Sequence, residues 1–295
     1  MKDYQIEFET YLYDTKGVSK NTFESYMRDF GQFVRYLEFV GYESVQAVNS
    51  DTVNGYIDYC SKNGRSNATI TRMTASLRCY FQFLMSIDVV TENPMSGVKN
   101  VKADKKLPEI LTGKEIDLLL AQPDETDAKG CRDKAMLELL YATGIRVSEL
   151  IGLNIDDINF EVGVIRCVGN KNERVIPLYH SALNCVEVYV KRVRYVTVID
   201  RKERALFVNM NGQRLTRQGF WKIIKQYSKS AGIKKDITPH TLRHSFAAHL
   251  LENGAQLKDI QQMLGHSDIS STQVYAQLMR SKFSTVYNKY HPKAK

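Results

Sequence analysis

The sequence predicts a mainly α-helical protein of two domains: an all-helical N-terminal part and a mixed α/β part with a small antiparallel sheet. Three observations lead to this. Apolar residues recur at helical spacing up to about residue 90, and the pattern breaks at Asn93-Pro94-Met95-Ser96-Gly97. Two alternating stretches joined by a turn then follow in the second half. The length of 295 residues allows two ordinary domains.

The N-terminal domain is predicted over residues 1–92. Asn21-Thr22-Phe23-Glu24 has the form of a capping box, and apolar residues follow at helical spacing from Phe23 to Leu37. Ser50 is expected to cap a second helix, and a third is expected over about residues 69–85. The aromatic stripes of these helices are typical of a core rather than of a ligand site.

Residues 93–110 are predicted to form a linker between the domains. Lys102, Lys105 and Lys106 give it a basic lining that suits a phosphate backbone, although a polar linker without a partner fits the composition as well. The second domain is predicted over residues 111–279 and opens with a capping box at Thr112-Gly113-Lys114-Glu115.

Within the second domain, a helix after Lys129 is expected to end at Gly144, which places Arg146 at the start of the next short helix. Residues 163–168 and 174–178 alternate like two strands of a hairpin, and residues 206–208 suggest another short strand. From Thr216 onward the pattern is helical, and it ends with a helix at about residues 280–290.

Composition restricts the class of protein. No apolar segment follows the first residues and no run of 18 apolar residues occurs, so we expect neither a signal peptide nor a membrane span. The five cysteines lack Cys-x-x-Cys spacing, which favours reduced thiols in a cytoplasmic protein and no metal site.

Positive charge is concentrated in one segment. Residues 201–250 hold 11 Lys and Arg against 2 Asp and Glu, a net charge of +9, so the remaining residues sum to −1 of the total +8. A solvated helix face is the usual explanation of such a run. Here the segment adjoins a histidine and arginine cluster, which favours a nucleic-acid surface formed by Lys222, Lys225, Lys229, Lys234 and Lys235.

The cluster itself contains residues suited to phosphodiester chemistry. His240 and Arg243 are followed by His266 and then by Tyr275, while Arg146 comes from upstream. Arginines bind and neutralise phosphate oxygens, histidines move protons, and a tyrosine offers an oxygen nucleophile. Taken singly, each of these residues has an ordinary structural explanation, such as packing or a surface ion pair.

The segments around these residues resemble the tyrosine recombinase (phage integrase) family, and within it the bacterial Xer-type recombinases. The resemblance extends over nearly the whole chain, from the pattern of residues 19–33 to residues 133–150, 240–247, 264–266 and Tyr275. It implies a tyrosine-recombinase fold with a SAM-like helical core-DNA-binding bundle before the catalytic domain. It also implies a site-specific recombinase that cuts and rejoins DNA strands.

The resemblance implies a role for each residue of the cluster. Tyr275 would attack phosphorus and form a 3′-phosphotyrosine, while Arg146 and Arg243 would bind the non-bridging oxygens. His266 would donate a further hydrogen bond to the phosphate, and His240 would assist proton transfer at the tyrosine. The family's hairpin lysine usually lies in Gly-Lys-Gly-Asn-Lys-Glu-Arg. This chain has the shorter Gly169-Asn170-Lys171-Asn172-Glu173-Arg174, so the general-acid role falls on its one lysine, Lys171.

The resemblance also implies partners. Duplex DNA with a specific core site would be bound by four protomers on two sites, as a homotetramer or with a sister recombinase, and residues 280–295 would be exchanged between protomers. A DNA translocase is a candidate partner, no membrane is involved, and no cofactor is needed. The cellular role would be chromosome dimer resolution or the integration and excision of a mobile element.

Three other functions are weighed against recombination. A type IB topoisomerase shares the tyrosine chemistry but rejoins the same strand, and a silent DNA-binding module would lack the tyrosine or an arginine. A metal-dependent nuclease needs a carboxylate cluster that the sequence does not display.

Overall fold

The structure is a computed structural model that describes residues 4–98, 108–169, 173–200, 202–266, 268 and 271–276. The chain divides into two compact units, residues 1–106 and 107–295. The linker lysines Lys102, Lys105 and Lys106, the hairpin lysine Lys171 and the expected helix at residues 280–290 lie outside the described residues.

The N-terminal unit is helical, as expected. Phe33 and Leu37 of its second helix pack with Leu77 and Phe81 of its fourth in one buried apolar cluster. Its helices are α1 Gln5–Thr10, α2 Lys20–Phe39, α3 Ser50–Lys62 and α4 Asn67–Ser86, with a π-helical turn at Tyr11–Thr15 after α1.

Two of the expected helix starts are wrong by one or two residues. α2 is capped by Ser19, whose hydroxyl accepts from the Thr22 backbone N–H at 3.3 Å, so no capping box forms at Asn21. α3 is capped by Asn49 rather than Ser50. Ser50 instead donates to the Pro94 carbonyl at 2.9 Å, which ties α3 to the segment that follows α4. A long-range contact thus uses the hydroxyl that the local pattern assigns to the cap.

The second unit contains further helices and a sheet. A π-helical turn at Tyr189–Arg194 connects two of its helices, which end at Val188 and begin at Tyr195, into one continuous helical segment. Its elements are α5 Gly113–Leu120, α6 Ala128–Thr143, α7 Val147–Gly152, β1 Ile158–Asn159, β2 Val164–Val168, β3 Glu173–Pro177, α8 His180–Val188, α9 Tyr195–Thr197, α10 Arg217–Ser230, α11 Pro239–Glu252 and α12 Leu257–Leu264. No helix among the described residues is both long enough and apolar enough to cross a membrane.

The sheet is antiparallel with strand order β1-β2-β3, and its register pairs Ile165 with Ile176 and Cys167 with Arg174. β2 and β3 form the expected hairpin. The strand expected at residues 206–208 is wrong, since this segment and its neighbours contribute only isolated bridges, Asn154 to Ala205 and Val208 to Arg214. These residues are apolar because they are buried on every side, with exposures of 0–1%.

α6 is the central helix of the second unit. Its Met136, Leu137, Leu139 and Leu140 are fully buried, because α5, α7, α8 and α11 surround it. Buried residues thus recur around the whole helix, as is typical of a central position. It ends as expected at Gly144, which has a left-handed φ of +59°. The chain therefore turns sharply just before Arg146.

Gly144→Ala tests this helix end. An alanine Cβ would lie 2.3 Å from Cδ1 of Phe246, and left-handed backbone costs a residue with a Cβ about 1–2 kcal/mol by itself. We expect urea unfolding to show a loss of at least that free energy. The matched control is Gly152→Ala, since no neighbour lies within 4 Å of that position in α7 and the change should be neutral or stabilising. Equal stability of the two variants would contradict this account.

Candidate active site

Three arginines converge on the C-terminal end of α12. Arg174 donates from Nε to the Met263 carbonyl at 2.7 Å, and Arg243 donates to the Leu264 carbonyl at 2.7 Å. Arg146 donates to the Gly265 carbonyl at 3.3 Å. The last carbonyls of a helix have no partner within it and carry partial negative charge. Three consecutive carbonyls thus hold three guanidinium groups from β3, α11 and the start of α7.

Arg146 is the most accessible of the three. It is the residue just before α7, and Glu149 of the first turn caps that helix by accepting from the Arg146 backbone N–H at 2.7 Å. The Arg146 side chain is 41% exposed and lies 3.3 Å from the same carboxylate. A guanidinium has five N–H donors. In Arg146 one donates to the Glu149 carboxylate and one to the Gly265 carbonyl, so three donors make no hydrogen bond to the described residues. These donors are available to an anion.

Arg243 is buried, with 4% exposure. It donates to the Gly144 carbonyl at 2.6 Å and to the Leu264 carbonyl, so it links the end of α6 to the end of α12. Burial and the nearby Arg146 charge lower its pKa to about 10. The Glu149 carboxylate opposes this shift, and a phosphate bound beside the guanidinium would oppose it further.

His266 follows the end of α12 and uses both ring nitrogens. Nε2 lies 2.9 Å from an Arg243 nitrogen, and Nδ1 lies 2.9 Å from the Thr272 hydroxyl. Because a guanidinium only donates, Nε2 accepts, and Nδ1 carries the hydrogen given to Thr272. Burial and the charges of Arg243 and Arg146 lower the pKa of His266 to about 4. The imidazole is therefore neutral at physiological pH.

Tyr275 lies against α11 in a small apolar cluster with Phe246, and its exposure is 1%. Its hydroxyl lies 2.8 Å from Nδ1 of His244. The resemblance assigns proton transfer at this tyrosine to His240, which lies one turn earlier on α11 and is exposed. Its ring centroid is 6.4 Å from that of His244. The described partner of the tyrosine is therefore His244.

Both members of this pair favour their neutral forms. Burial raises the pKa of Tyr275, and the Arg243 charge opposes that rise. Burial, His240 and Arg243 together lower the pKa of His244 to about 4. The hydroxyl is thus held protonated beside a neutral imidazole.

The expected lysine surface divides into two groups. Lys222, Lys229 and Lys234 are exposed. Lys225 forms an ion pair with Asp236, and its ammonium lies 5.2 Å from the ring centroid of Trp221, which is 49% exposed. Lys235 lies 2.6 Å from Glu115 and is held within the unit.

Three residues of the site receive no chemical role from the sequence alone: Arg174, His244 and Thr272. A sequence signal exists for Arg174, because the strand alternates and places it on the same side as the buried Ile176. Asp133 has partners other than the arginines of the cluster. Its carboxylate accepts from Arg132 at 2.7 Å and from the Tyr227 hydroxyl at 3.1 Å. Within the described ranges, no three His, Cys, Asp or Glu side chains are grouped to hold a metal ion.

Comparison with known proteins identifies the class. The model of the phage integrase family matches residues 109–282, and the model of the phage integrase N-terminal SAM-like domain matches residues 6–87. Together the two cover most of the chain. The chain therefore belongs to the phage integrase family, the tyrosine recombinases.

Within the family, the chain resembles Xer recombinases in particular. A tyrosine recombinase XerD of Oceanobacillus iheyensis is 44% identical, with 100% of both chains covered, and one of Staphylococcus epidermidis is 40% identical over 98% of both. Among solved structures, XerH bound to a palindromic difH substrate has a TM-score of 0.77 at 20% identity, covering 90% of this chain and 79% of that one. A lambda integrase dimer bound to a core site has a TM-score of 0.75 at 18% identity, covering 93% and 94%.

The two lowered histidine pKa values predict acid sensitivity. Between about pH 6.5 and about pH 4 the unfolded chain binds protons at His244 and His266 that the folded chain does not, so stability falls as pH falls. We expect the free energy of unfolding to decrease from about pH 7 to about pH 5, and His244→Asn/His266→Asn to reduce that decrease. The exposed His180→Asn is the control. An unchanged pH dependence in the double variant would contradict the prediction.

Proposed function

We propose that this protein is a site-specific DNA recombinase of the Xer type, which cuts and rejoins DNA strands through a phosphotyrosine intermediate. The gathering of guanidinium groups at the end of α12, beside His266 and Tyr275, carries this proposal. Three guanidinium charges against the Glu149 carboxylate leave a net charge of +2 in this network. Such a network favours a phosphodiester, whose non-bridging oxygens accept paired hydrogen bonds from arginine.

The proposed reaction exchanges one phosphate ester for another. The Tyr275 oxygen bonds to phosphorus as the bond to the 5′-oxygen breaks, so the DNA 3′-phosphate becomes attached to tyrosine and a 5′-hydroxyl leaves. Arg146 and Arg243 stabilise the charge that grows on the non-bridging oxygens. We propose that His240 assists removal of the proton from the Tyr275 hydroxyl, and that Lys171 protonates the leaving 5′-oxygen. The 5′-hydroxyl of another strand then attacks the phosphorus of this phosphotyrosine, which forms a new DNA phosphodiester and releases the Tyr275 hydroxyl.

Two contacts must change before this reaction. The Tyr275 hydroxyl is covered and bonded to His244, so the tyrosine must leave α11 to reach a phosphate bound at Arg146. His266 accepts from Arg243 through Nε2, so it donates to phosphate only after that bond opens and Nε2 carries a hydrogen, either by protonation of the ring or by a switch of tautomer in which Nδ1 accepts from Thr272. A bound phosphate favours the change at His266, since its negative charge raises the pKa of that imidazole and favours its protonated, donating form.

The remaining assignments follow the resemblance to Xer recombinases. We assign the core-DNA-binding role to residues 1–92, the linker to 93–110 and catalysis to 111–279. The substrate is duplex DNA with a specific core site in the cytoplasm, bound by four protomers, either identical or shared with a sister recombinase. Residues 280–295 are assigned to exchange between protomers, and a DNA translocase is the candidate regulator. The cellular role is either resolution of chromosome dimers or integration and excision of a mobile element.

Tyr275→Phe tests the nucleophile. The wild-type protein should form a covalent adduct with DNA, visible on a denaturing gel without added metal, on a pool of nicked fragments of the host genome. The variant should bind DNA equally well and form no adduct, because phenylalanine lacks the attacking oxygen. Tyr195→Phe, at a position 80% exposed, is the matched control and should retain the adduct.

An adduct formed by Tyr275→Phe would show that another residue is the nucleophile. Absence of an adduct in a wild-type protein that binds DNA would favour a silent binding module. Relaxation of supercoiled plasmid without strand exchange would favour the topoisomerase alternative.

The exposed lysines are proposed to contact the DNA backbone. Replacing Lys222, Lys229 and Lys234 with Gln should weaken the salt dependence of DNA binding by about 0.9 in the logarithmic slope for each phosphate that the variant no longer neutralises. Replacing Lys225 and Lys235 with Gln is the control, because these side chains are engaged by Asp236 and Glu115. Measured over a range of salt, equal slopes for wild type and the triple variant would exclude this surface.

A further inference from the structure

Arg174 is a charged residue on the buried face of a strand. In β3 its neighbours Glu173 and Val175 are exposed, whereas Arg174 lies on the side of Ile176 and its side chain is 11% exposed. On the adjacent strand, Arg166 is outward, 50% exposed and 3.0 Å from Asp157. Charged side chains are seldom buried unless paired, so the inward position of Arg174 calls for a specific partner.

That partner is Glu149. The two terminal nitrogens of Arg174 each lie 2.9 Å from a different oxygen of this carboxylate, in the paired geometry that is strong for arginine. Its third nitrogen, Nε, donates to the Met263 carbonyl at 2.7 Å. The guanidinium also lies against Gly265, where an added Cβ would be 2.8 Å from one of its nitrogens.

These contacts connect Arg174 to two groups of the phosphate site. Glu149 also accepts from the backbone N–H and the side chain of Arg146, so the same carboxylate faces two arginines. Met263 and Gly265 flank the end of α12, and the next residue is His266. The Arg174 side chain therefore contacts the carboxylate that holds Arg146 and the helix end that precedes His266.

Charge explains why Arg174 matters to Arg146. Without Arg174, the Glu149 carboxylate would be buried, 7% exposed, with Arg146 as its cationic partner. An unpaired buried carboxylate attracts the nearest cation strongly, and Arg146 would turn its donors toward it. With Arg174 in place, the carboxylate is already paired, and Arg146 gives it only one long side-chain hydrogen bond of 3.3 Å.

We propose that Arg174 is a positioning residue of the phosphate site, which pairs with Glu149 and fixes the end of α12, so that Arg146 stays available to the scissile phosphate and His266 is held in place after the helix end. This inference rests on the proposed recombinase function. Arg174 acts through Glu149 and the helix end, and it has no assigned contact with the DNA.

The first test compares Arg174→Gln with Arg166→Gln. Single-turnover cleavage of a nicked DNA substrate by Arg174→Gln should be slower than wild type by about tenfold to a hundredfold, the range expected when reacting groups are misplaced. DNA binding should change little. Arg166→Gln removes an arginine at the neighbouring outward position and should cleave like wild type. Arg174→Lys, which keeps the charge but lacks the paired geometry, should lie between them.

The second test separates positioning from stability. Glu149→Gln keeps the capping oxygen of α7 and removes the charge. If Arg174 acts by pairing that charge, Glu149→Gln/Arg174→Gln should cleave faster than Arg174→Gln alone. A purely structural arginine gives no such rescue, since its hydrogen bonds are missing from the double variant as well. Cleavage by Arg174→Gln at the wild-type rate, or a double variant no faster than the single one, would overturn the proposal.

Binding of inorganic phosphate distinguishes this inference from the proposed function. The His266 ring signals, followed by NMR during phosphate titration, should shift at lower phosphate in wild type than in Arg174→Gln. If the wild type forms no DNA adduct but this difference is found, the recombinase proposal fails and the role of Arg174 stands. If the adduct forms and neither cleavage nor phosphate binding depends on Arg174, the inference fails alone.

Discussion

The carbonyl end of α12 is the interaction on which the candidate site depends. Met263, Leu264 and Gly265 accept hydrogen bonds from three arginines that are far apart in the sequence. Like charges brought this close repel each other, and the partial negative charge of a helix end offsets part of that repulsion. The helix must therefore end at a fixed residue, and Gly265, with φ +61°, ends it. The anion site is thus specified by the end of a helix as much as by the arginines.

A second helix end completes the arrangement. α6 ends at Gly144, and its carbonyl accepts from Arg243, which also contacts the end of α12. Both glycines have positive φ, and each has a neighbour where a Cβ would lie, Phe246 beside Gly144 and Arg174 beside Gly265. Backbone conformation and packing therefore require glycine at the two positions whose carbonyls accept hydrogen bonds from Arg243 and Arg146. The stability of the unit and the geometry of its site are linked at these residues.

Sequence reasoning finds those parts of the site that local pattern encodes. The end of α6, the position of Arg146 before α7 and the β2-β3 hairpin all follow from spacing and turn residues. The pairing of Tyr275 with His244 does not, because it joins residues 31 positions apart whose proximity is set by packing. Arg174 is an intermediate case: strand alternation places it inward, but its partner Glu149 is 25 positions away. The prediction of a helix cap fails in the same way when a distant group binds the hydroxyl, as the Pro94 carbonyl binds that of Ser50.

The site has an open part and a closed part. Arg146 is accessible, whereas Tyr275 is buried with Phe246 and held by His244. His266 joins them, since it contacts Arg243 on one side and Thr272, three residues before the tyrosine, on the other. His266 thus connects the arginines, through Thr272, to the helical turn that carries Tyr275. In the proposed mechanism, binding of a phosphate and release of Tyr275 are therefore separate events connected by one imidazole, so that DNA is held before it is cut.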